Sequence, residues 1–285
     1  MKWVLMVVLL LAGCEAERQD LIVSKEKIEL PDTVYSKSTE AYKITYLSDE
    51  LEIAGFMVSP KNIEDDLPLL IYNRGGNQEY GKIDREMLSK YLSLWANKGY
   101  IVLASQYRGN DGGEGQEEFG GSDVKDVSNL LKAADELPNV DTDNAVMLGR
   151  SRGGMMTYLA IKEGVNIKAA AVEGGITDLF SQYERNTAMR QVLNDLIGNP
   201  NQNEDTYKSR SAVYWPDEID VPLLMLHGGE DWKVPVEQAR ELRDKLSEQD
   251  AEFEYIEYEE GDHGLTNHMN EYIEKVNQWF QEHID

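Results

Sequence analysis

The sequence predicts an α/β fold, a mostly parallel, doubly wound sheet covered by helices on both faces, with an antiparallel N-terminal hairpin at one edge. From about residue 67 onward, short apolar runs of strand length alternate with segments of helix length, a pattern typical of parallel sheets. Before that, residues 42–58 contain two runs of period two on either side of a turn, which indicates the hairpin. With 285 residues and no internal repeat, one globular domain is the simplest organisation.

The individual elements follow from these runs. The arms of the hairpin are expected at 42–47 and 51–58. Further strands are predicted at 67–72, 100–105, 144–148, 167–172, 221–227 and 253–258. Helices are predicted at 85–97, 123–136, 155–161, 177–197, 236–246 and 267–282.

The composition is that of an acidic globular protein. Acidic residues outnumber basic ones by 53 to 28, which gives a formal charge of −25. Such a surface repels nucleic acid and anionic lipid head groups, so neither is expected as its partner. The single cysteine, Cys14, excludes an intrachain disulfide and a cysteine-based metal site. The acid-rich loop 111–118 lacks regular ligand spacing, and we predict neither a metal nor a cofactor.

The N-terminus has the pattern of an export signal. Lys2 is followed by an unbroken apolar run at 3–11, which is too short to span a bilayer but fits a secretory segment. Residues 11–14, Leu-Ala-Gly-Cys, resemble a bacterial lipobox. We therefore predict a signal peptide at 1–13, a tether at 14–40 lipidated on Cys14, and a catalytic domain at 41–285, anchored in the cell envelope. An ordinary signal peptide and a buried N-terminal strand are the alternatives.

A G-x-S-x-G motif at 149–153 lies between a predicted strand and a predicted helix. On such a turn the hydroxyl of Ser151 is exposed above the sheet, and the flanking glycines let strand and helix pass closely. The positive N-terminus of the helix faces negative charge that forms beside the serine. We predict that Ser151 is a nucleophile. The alternative is a glycine-rich connection whose serine only caps the helix.

A serine nucleophile needs a base, normally an imidazole that a carboxylate orients. Of the four histidines, His263 lies in the loop after the last predicted strand, at the carboxyl edge where open α/β sheets bind ligands. His268, at the start of the closing helix, is the second choice. We expect His227 to be packed or bonded to backbone, and His283 to be solvated.

For the orienting acid, Asp231 lies on a loop at the same sheet edge, after the preceding strand. Glu230 and Asp262 are competitors that we expect to be solvated. The resulting chain order, serine, aspartate and then histidine, is that of α/β-hydrolases.

An oxyanion needs two hydrogen-bond donors. The backbone N–H of Arg152, directly after the nucleophile, is the first. The second is predicted in the loop after the strand that ends near Asn73, where Gly75 and Gly76 allow bare backbone to approach the substrate. A simple tight turn is the alternative.

From about Tyr42 to the end, the chain resembles the catalytic domain of the prolyl oligopeptidase family of serine hydrolases. The resemblance is carried by residues 149–154, by the H-G-G-E-D-W-K-V-P stretch at 227–235 and by 261–264, and the glycine-rich loop at 108–126 is also similar. It implies an α/β-hydrolase fold and the activity of a serine peptidase or carboxylesterase.

Two departures from the family limit what the resemblance implies. Residues 74–77 read Arg-Gly-Gly-Asn where several relatives carry His-Gly-Gly-Pro. Only about 40 residues precede the domain, too few for the β-propeller of the larger peptidases. The resemblance therefore does not imply the substrate specificity of the peptidases. Esterase or amidase activity is equally compatible with the sequence.

The sequence thus predicts a lipid-anchored serine hydrolase that cleaves an acyl bond of a small peptide or ester through an acyl-enzyme intermediate. Its substrate pocket is expected beneath the segment 176–215 and the glycine-rich loop that begins at Arg108. The alternative is a non-catalytic surface lipoprotein that uses the hydrolase scaffold as a binding module.

Overall fold

The computed structural model describes residues 20–284 and contains one sheet of nine strands within them. The strands are Ile22–Ile28 (β1), Thr39–Ser48 (β2), Leu51–Pro60 (β3), Leu67–Asn73 (β4), Ile101–Ser105 (β5), Val140–Arg150 (β6), Ala169–Glu173 (β7), Leu223–Gly228 (β8) and Phe253–Tyr258 (β9). Their order across the sheet is β1-β2-β3-β5-β4-β6-β7-β8-β9.

The sheet is parallel from β5 through β4 to β9 and antiparallel from β1 to β3, and β3 joins the two parts through an antiparallel pairing with β5. The predicted fold class is confirmed. The predicted hairpin is also present as β2 and β3, which pair in register from Thr39 opposite Pro60 to Ser48 opposite Leu51.

Helices cover both faces of the sheet. They are Arg85–Met87 (α1), Ser93–Asn97 (α2), Val124–Ala133 (α3), Arg152–Lys162 (α4), Leu179–Arg185 (α5), Thr187–Leu196 (α6), Glu204–Ser209 (α7), Val236–Ser247 (α8) and Met269–His283 (α9). A π-helical turn, Leu88–Leu92, joins α1 to α2. Every predicted helix has a counterpart, and α7 is an addition. No helix within 20–284 is long and apolar enough to cross a bilayer.

The parallel strands separate two apolar clusters because successive side chains of a strand face opposite sides. Along β4, Leu69 and Ile71 belong to one cluster, and Leu70 and Tyr72 to the other. Side chains of α3, α4 and α8 complete the first cluster, and those of α2 and α9 the second. Both faces of the central strands are therefore buried, and only the strand ends are open for a site.

We expected residues 15–38 to have little structure of their own, but segment 22–28 forms a strand of the sheet. As β1 it pairs with β2 from Ile22 opposite Tyr46 to Ile28 opposite Ala41. The backbone N–H groups of Leu21 and Ile22 also donate to the carboxylate of Glu136, at 2.8–2.9 Å. An edge strand with charged, exposed side chains is held mainly by backbone bonds, so its sequence lacks a clear apolar period. The predicted signal peptide and Cys14 lie outside the described residues.

Candidate active site

Ser151 lies on a strained turn between β6 and α4. Its φ of 56° and ψ of −123° are unusual for a residue with a side chain, and its backbone N–H donates to the carbonyl oxygen of Glu173 at 2.9 Å. A Cβ on Gly149 would collide with the hydroxyl of Thr157, and one on Gly153 with the carbonyl oxygen of Asn73. The glycines of the motif are therefore required for strand and helix to pass so closely.

The structure brings together the three residues predicted from the sheet edge. His263 Nε2 lies 3.0 Å from Ser151 Oγ, and His263 Nδ1 lies 2.7 Å from Asp231 Oδ2. The side chain of His263 is 12% exposed and that of Asp231 is fully buried. The three side chains form a continuous chain of hydrogen bonds, with distances suited to proton transfer between hydroxyl and imidazole.

Asp231 is held by four donors. Its Oδ1 accepts from the backbone N–H groups of Lys233 at 2.8 Å and Val234 at 2.9 Å, and its Oδ2 faces both His263 and, at 3.3 Å, His227 Nε2. Burial alone would raise the pKa of Asp231, but hydrogen bonds from His227 and His263 outweigh it and hold the pKa well below its usual range. The carboxylate therefore stays ionised and fixes the imidazole.

The other three histidines do not contact the serine hydroxyl. His227 is buried, as expected, and its Nε2 also bonds to the carbonyl oxygen of Val234 at 2.9 Å. His268 packs its ring on Tyr258 and does not join the serine. The expectation that His283 is solvated is wrong: its Nδ1 bonds to the Trp279 carbonyl oxygen one helical turn earlier, at 2.7 Å, and its ring packs on Trp279.

The two competing acids are both exposed, as expected. Asp262 instead shapes the loop of the histidine, because its carboxylate accepts from the backbone N–H of Thr266 at 2.8 Å and of Gly264 at 3.2 Å. These hydrogen bonds lower the pKa of Asp262, and the bond from Thr266 has the largest effect. The side chain of Glu230 makes no such bonds to the loop that carries His263.

Both predicted oxyanion residues lie beside the serine. Arg152 is the first residue of α4, where helix geometry leaves the backbone N–H without an intrahelical acceptor. A Cβ on Gly75 would lie 3.0 Å from Ser151 Cβ and 3.1 Å from the carbonyl oxygen of Arg150. A side chain at this position would force the loop or the nucleophile to shift by a few tenths of an ångström.

Sequence reasoning missed how the Gly75 loop is fixed. The side chain of Arg74 is fully buried and donates to the carbonyl oxygens of Gly75 at 3.1 Å, Gln78 at 3.2 Å and Gln106 at 3.0 Å. The guanidinium thus ties the loop to the segment after β5. An arginine directly before two glycines, at the end of a buried strand, was the available signal.

The side chain of Arg152 was also missed. It is 1% exposed, and it forms ion pairs with Glu117 at 2.6 Å and with Asp123 at 2.5 Å. Its guanidinium lies over the rings of Tyr107 and Phe119. This buried cluster fastens the glycine-rich loop beneath the nucleophile.

Within 20–284, no group of three or more His, Cys, Asp or Glu is arranged to hold a metal ion.

A second buried pair lies on the other side of the nucleophile. Glu173, at the end of β7, is fully buried, and its Oε1 lies 3.3 Å from Arg150 Nε. Neither carboxylate oxygen accepts a hydrogen bond from the described residues. Burial raises the pKa of Glu173 to about 7, although the charge of Arg150 opposes this. The uninterrupted apolar context of β7 gave no sign of this pair.

A cavity of about 600 Å³ opens beside Ser151 and His263. As predicted, its wall includes the segment after β7, through Ile176, Met189 and Val192, and the glycine-rich loop, through Phe119. The rim and floor are completed by Tyr72, Tyr80, Trp232, Lys233 and Val234. The wall is mainly apolar, and the serine hydroxyl is accessible from it.

Comparisons with known proteins identify relatives of this chain. A family model described as the prolyl oligopeptidase family matches residues 86–285, and one described as acetyl xylan esterase (AXE1) matches residues 16–126. An uncharacterized peptidase of Bacillus subtilis (strain 168), YtmA, is 30% identical over 230 residues, which cover 80% of this chain and 86% of that protein.

Solved structures share the fold. The acylaminoacyl peptidase of Pyrococcus horikoshii has a TM-score of 0.75 at 22% identity, covering 87% of this chain and 42% of that one. Acetyl xylan esterase 1 from Thermoanaerobacterium sp. JW/SL YS485 has a TM-score of 0.65 at 15% identity, covering 90% of this chain and 87% of that one. The chain thus spans less than half of the archaeal peptidase and most of the esterase.

Proposed function

This chain belongs to the prolyl oligopeptidase family and is a serine hydrolase of the peptidase or esterase type, and we propose that Ser151, His263 and Asp231 are its catalytic residues. The observation that carries the proposal is the unbroken contact from hydroxyl to imidazole to carboxylate, at 3.0 and 2.7 Å. No observation favours the alternative of a non-catalytic binding module.

The reaction follows from the positions of these groups. Ser151 Oγ attacks the substrate carbonyl carbon while His263 Nε2 takes the hydroxyl proton, and Asp231 stabilises the imidazolium through Nδ1–H. The backbone N–H groups of Arg152 and Gly75 face the oxyanion. His263 then gives its proton to the leaving group, which departs from the acyl-enzyme. A water molecule, deprotonated by His263, then attacks the acyl carbonyl carbon. The bond to Ser151 Oγ breaks, the acid leaves, and His263 returns the proton to Oγ.

The substrate class we propose is a small peptide or ester. The structural neighbours include enzymes of both kinds. One is an acylaminoacyl peptidase and another is an acetyl xylan esterase. The cavity of about 600 Å³ fits a small acyl compound.

Labelling with a fluorophosphonate probe tests the catalytic proposal, because only an activated serine reacts. The wild-type chain and the Ser209→Ala control, altered at an exposed serine, are expected to be labelled, and Ser151→Ala is not. Hydrolysis of 4-nitrophenyl esters should fall about 10³-fold or more in Ser151→Ala. Unchanged labelling or turnover in a folded Ser151→Ala chain would falsify the proposal.

We also propose that the chain is exported and anchored in the cell envelope through a lipid on Cys14. The Leu-Ala-Gly-Cys sequence at 11–14, after an apolar run, supports this. Incorporation of labelled palmitate by the full chain in a bacterial host, and its loss in Cys14→Ser, would test it. Equal incorporation by both chains, or none by either, would overturn it.

A further inference from the structure

The pocket beside Ser151 differs in charge from the rest of the chain. The sequence carries 53 acidic residues, yet none of the described residues that line the pocket is an aspartate or a glutamate. Three of the lining residues are cationic: Arg150, Arg152 and Lys233. A substrate that enters this pocket therefore meets positive side chains in a molecule that is negative overall.

Two of these cations already have buried carboxylate partners. The guanidinium of Arg150 lies against the buried Glu173, and that of Arg152 against Glu117 and Asp123. Neither arginine can take a substrate carboxylate without giving up a buried partner, which is costly. Lys233 remains as the cation of the pocket that is open to a substrate charge.

Lys233 is placed at the mouth of the pocket. Its Nζ lies 3.4 Å from the hydroxyl of Tyr80 and 5.3 Å from the centre of the Trp232 ring. It forms no ion pair within residues 20–284. Tyr80 is 67% exposed and Trp232 is 75% exposed, and both line the pocket. An ammonium has three donors, so Lys233 can bind Tyr80 and still donate to an incoming oxygen.

Resting on the proposed function, we propose that Lys233 makes this hydrolase select substrates that carry a carboxylate near the scissile bond and reject those that carry an ammonium there. A carboxylate in the mouth pairs with the ammonium of Lys233, beside Tyr80 and Trp232. A free amino group is repelled by the like charge of Lys233, and none of the residues that line the pocket offers it a carboxylate.

The test uses 4-nitrophenyl esters of three six-carbon acids that differ in terminal charge: hexanoate, the monoester of adipate, and 6-aminohexanoate. For the wild-type chain, kcat/KM is expected to be highest for adipate and lowest for 6-aminohexanoate. In Lys233→Met the ratio of adipate to hexanoate should fall about 5-fold, the size of one partly exposed ion pair. In Lys233→Glu the order of the two charged esters should reverse. Lys275→Met, which alters a lysine on α9 paired with Glu254, is the matched control and should keep the wild-type order.

A second arm moves the charge to the leaving group, with 4-carboxyphenyl and phenyl hexanoate as the pair. A ratio that depends on Lys233 in either arm supports the proposal and shows on which side of the scissile bond the charge is read. Ratios that are the same in wild type, Lys233→Met and Lys233→Glu in both arms overturn it. If no ester is hydrolysed and the fluorophosphonate probe labels nothing, the proposed function fails, and this inference fails with it.

Discussion

His227 Nε2 lies 3.3 Å from Asp231 Oδ2, the same carboxylate oxygen that accepts from His263 Nδ1 at 2.7 Å. Asp231 is thus held between two imidazoles, one buried in β8 and one in the loop after β9 that reaches the serine hydroxyl. The buried imidazole fixes the carboxylate, and the carboxylate fixes the imidazole that faces Ser151. His227 is accordingly a positioning residue in the proposed mechanism.

Replacing His227 by leucine is expected to lower kcat about 10-fold with little change in KM, because one hydrogen bond to the charged carboxylate is lost. His227→Gln, which keeps a donor, should recover part of the loss. Steady-state kinetics with a 4-nitrophenyl ester, on variants whose circular dichroism matches the wild type, measure the effect. An unchanged kcat in folded His227→Leu would contradict this role.

Gly75→Ala tests the second oxyanion donor. The new Cβ would lie 3.0 Å from Ser151 Cβ, so the loop or the nucleophile must shift by a few tenths of an ångström, which weakens the hydrogen bond from the loop N–H to the oxyanion. We expect kcat to fall about 10²-fold, the usual loss for one oxyanion donor. Fluorophosphonate labelling and thermal melting of the same variant show whether the serine and the fold are intact. A kcat within 2-fold of wild type would place the second donor elsewhere.

The buried Glu173 predicts a pH dependence of stability. Burial raises its pKa to about 7, above the value of about 4.3 in an unfolded chain. The stability that its proton contributes is therefore fully present below the unfolded pKa and is lost as the pH rises through about 7.

In Glu173→Gln this contribution is absent. Between pH 5 and pH 8, the wild-type chain should lose about 2 kcal/mol more of its unfolding free energy than the variant does. Urea unfolding at the two pH values measures the difference, with Glu248→Gln, at an exposed position of the chain, as control. Equal pH dependence in the wild type and Glu173→Gln would show that Glu173 is ionised throughout.

Arg152→Met tests the buried cluster beneath the nucleophile. The substitution leaves the carboxylates of Glu117 and Asp123 buried without their cation, which typically costs about 3–5 kcal/mol. Arg185→Met, which breaks an exposed pair with Glu237, should cost less than about 1 kcal/mol. Urea unfolding of both variants gives the comparison. Similar losses in the two would mean that the cluster adds little stability.

The sequence was informative wherever a pattern is local. The apolar runs located the parallel strands, and the strand ends located Ser151, Asp231 and His263, because loops at one edge of a parallel sheet lie near each other. β1 escaped detection since an edge strand needs backbone partners more than an apolar period.

The buried ion pairs escaped for a different reason. Arg152 meets Glu117 and Asp123 only after the glycine-rich loop folds beneath α4, and no spacing in the chain encodes that contact. The same holds for Arg74 and for the contact of His227 with Asp231. Each is a tertiary contact that forms only when the elements pack together, so the local sequence does not predict it.

The bonds from Leu21 and Ile22 to Glu136 hold the N-terminal end of β1 near the start of β6. Glu136 lies just before β6 and Ser151 just after it, so the two points are separated by the strand, up to about 33 Å for ten steps. A lipid on Cys14 would leave only about 20 Å of extended chain before Asp20. If the proposed anchor is present, the bilayer lies at the end of the sheet opposite Ser151, and the pocket faces away from it.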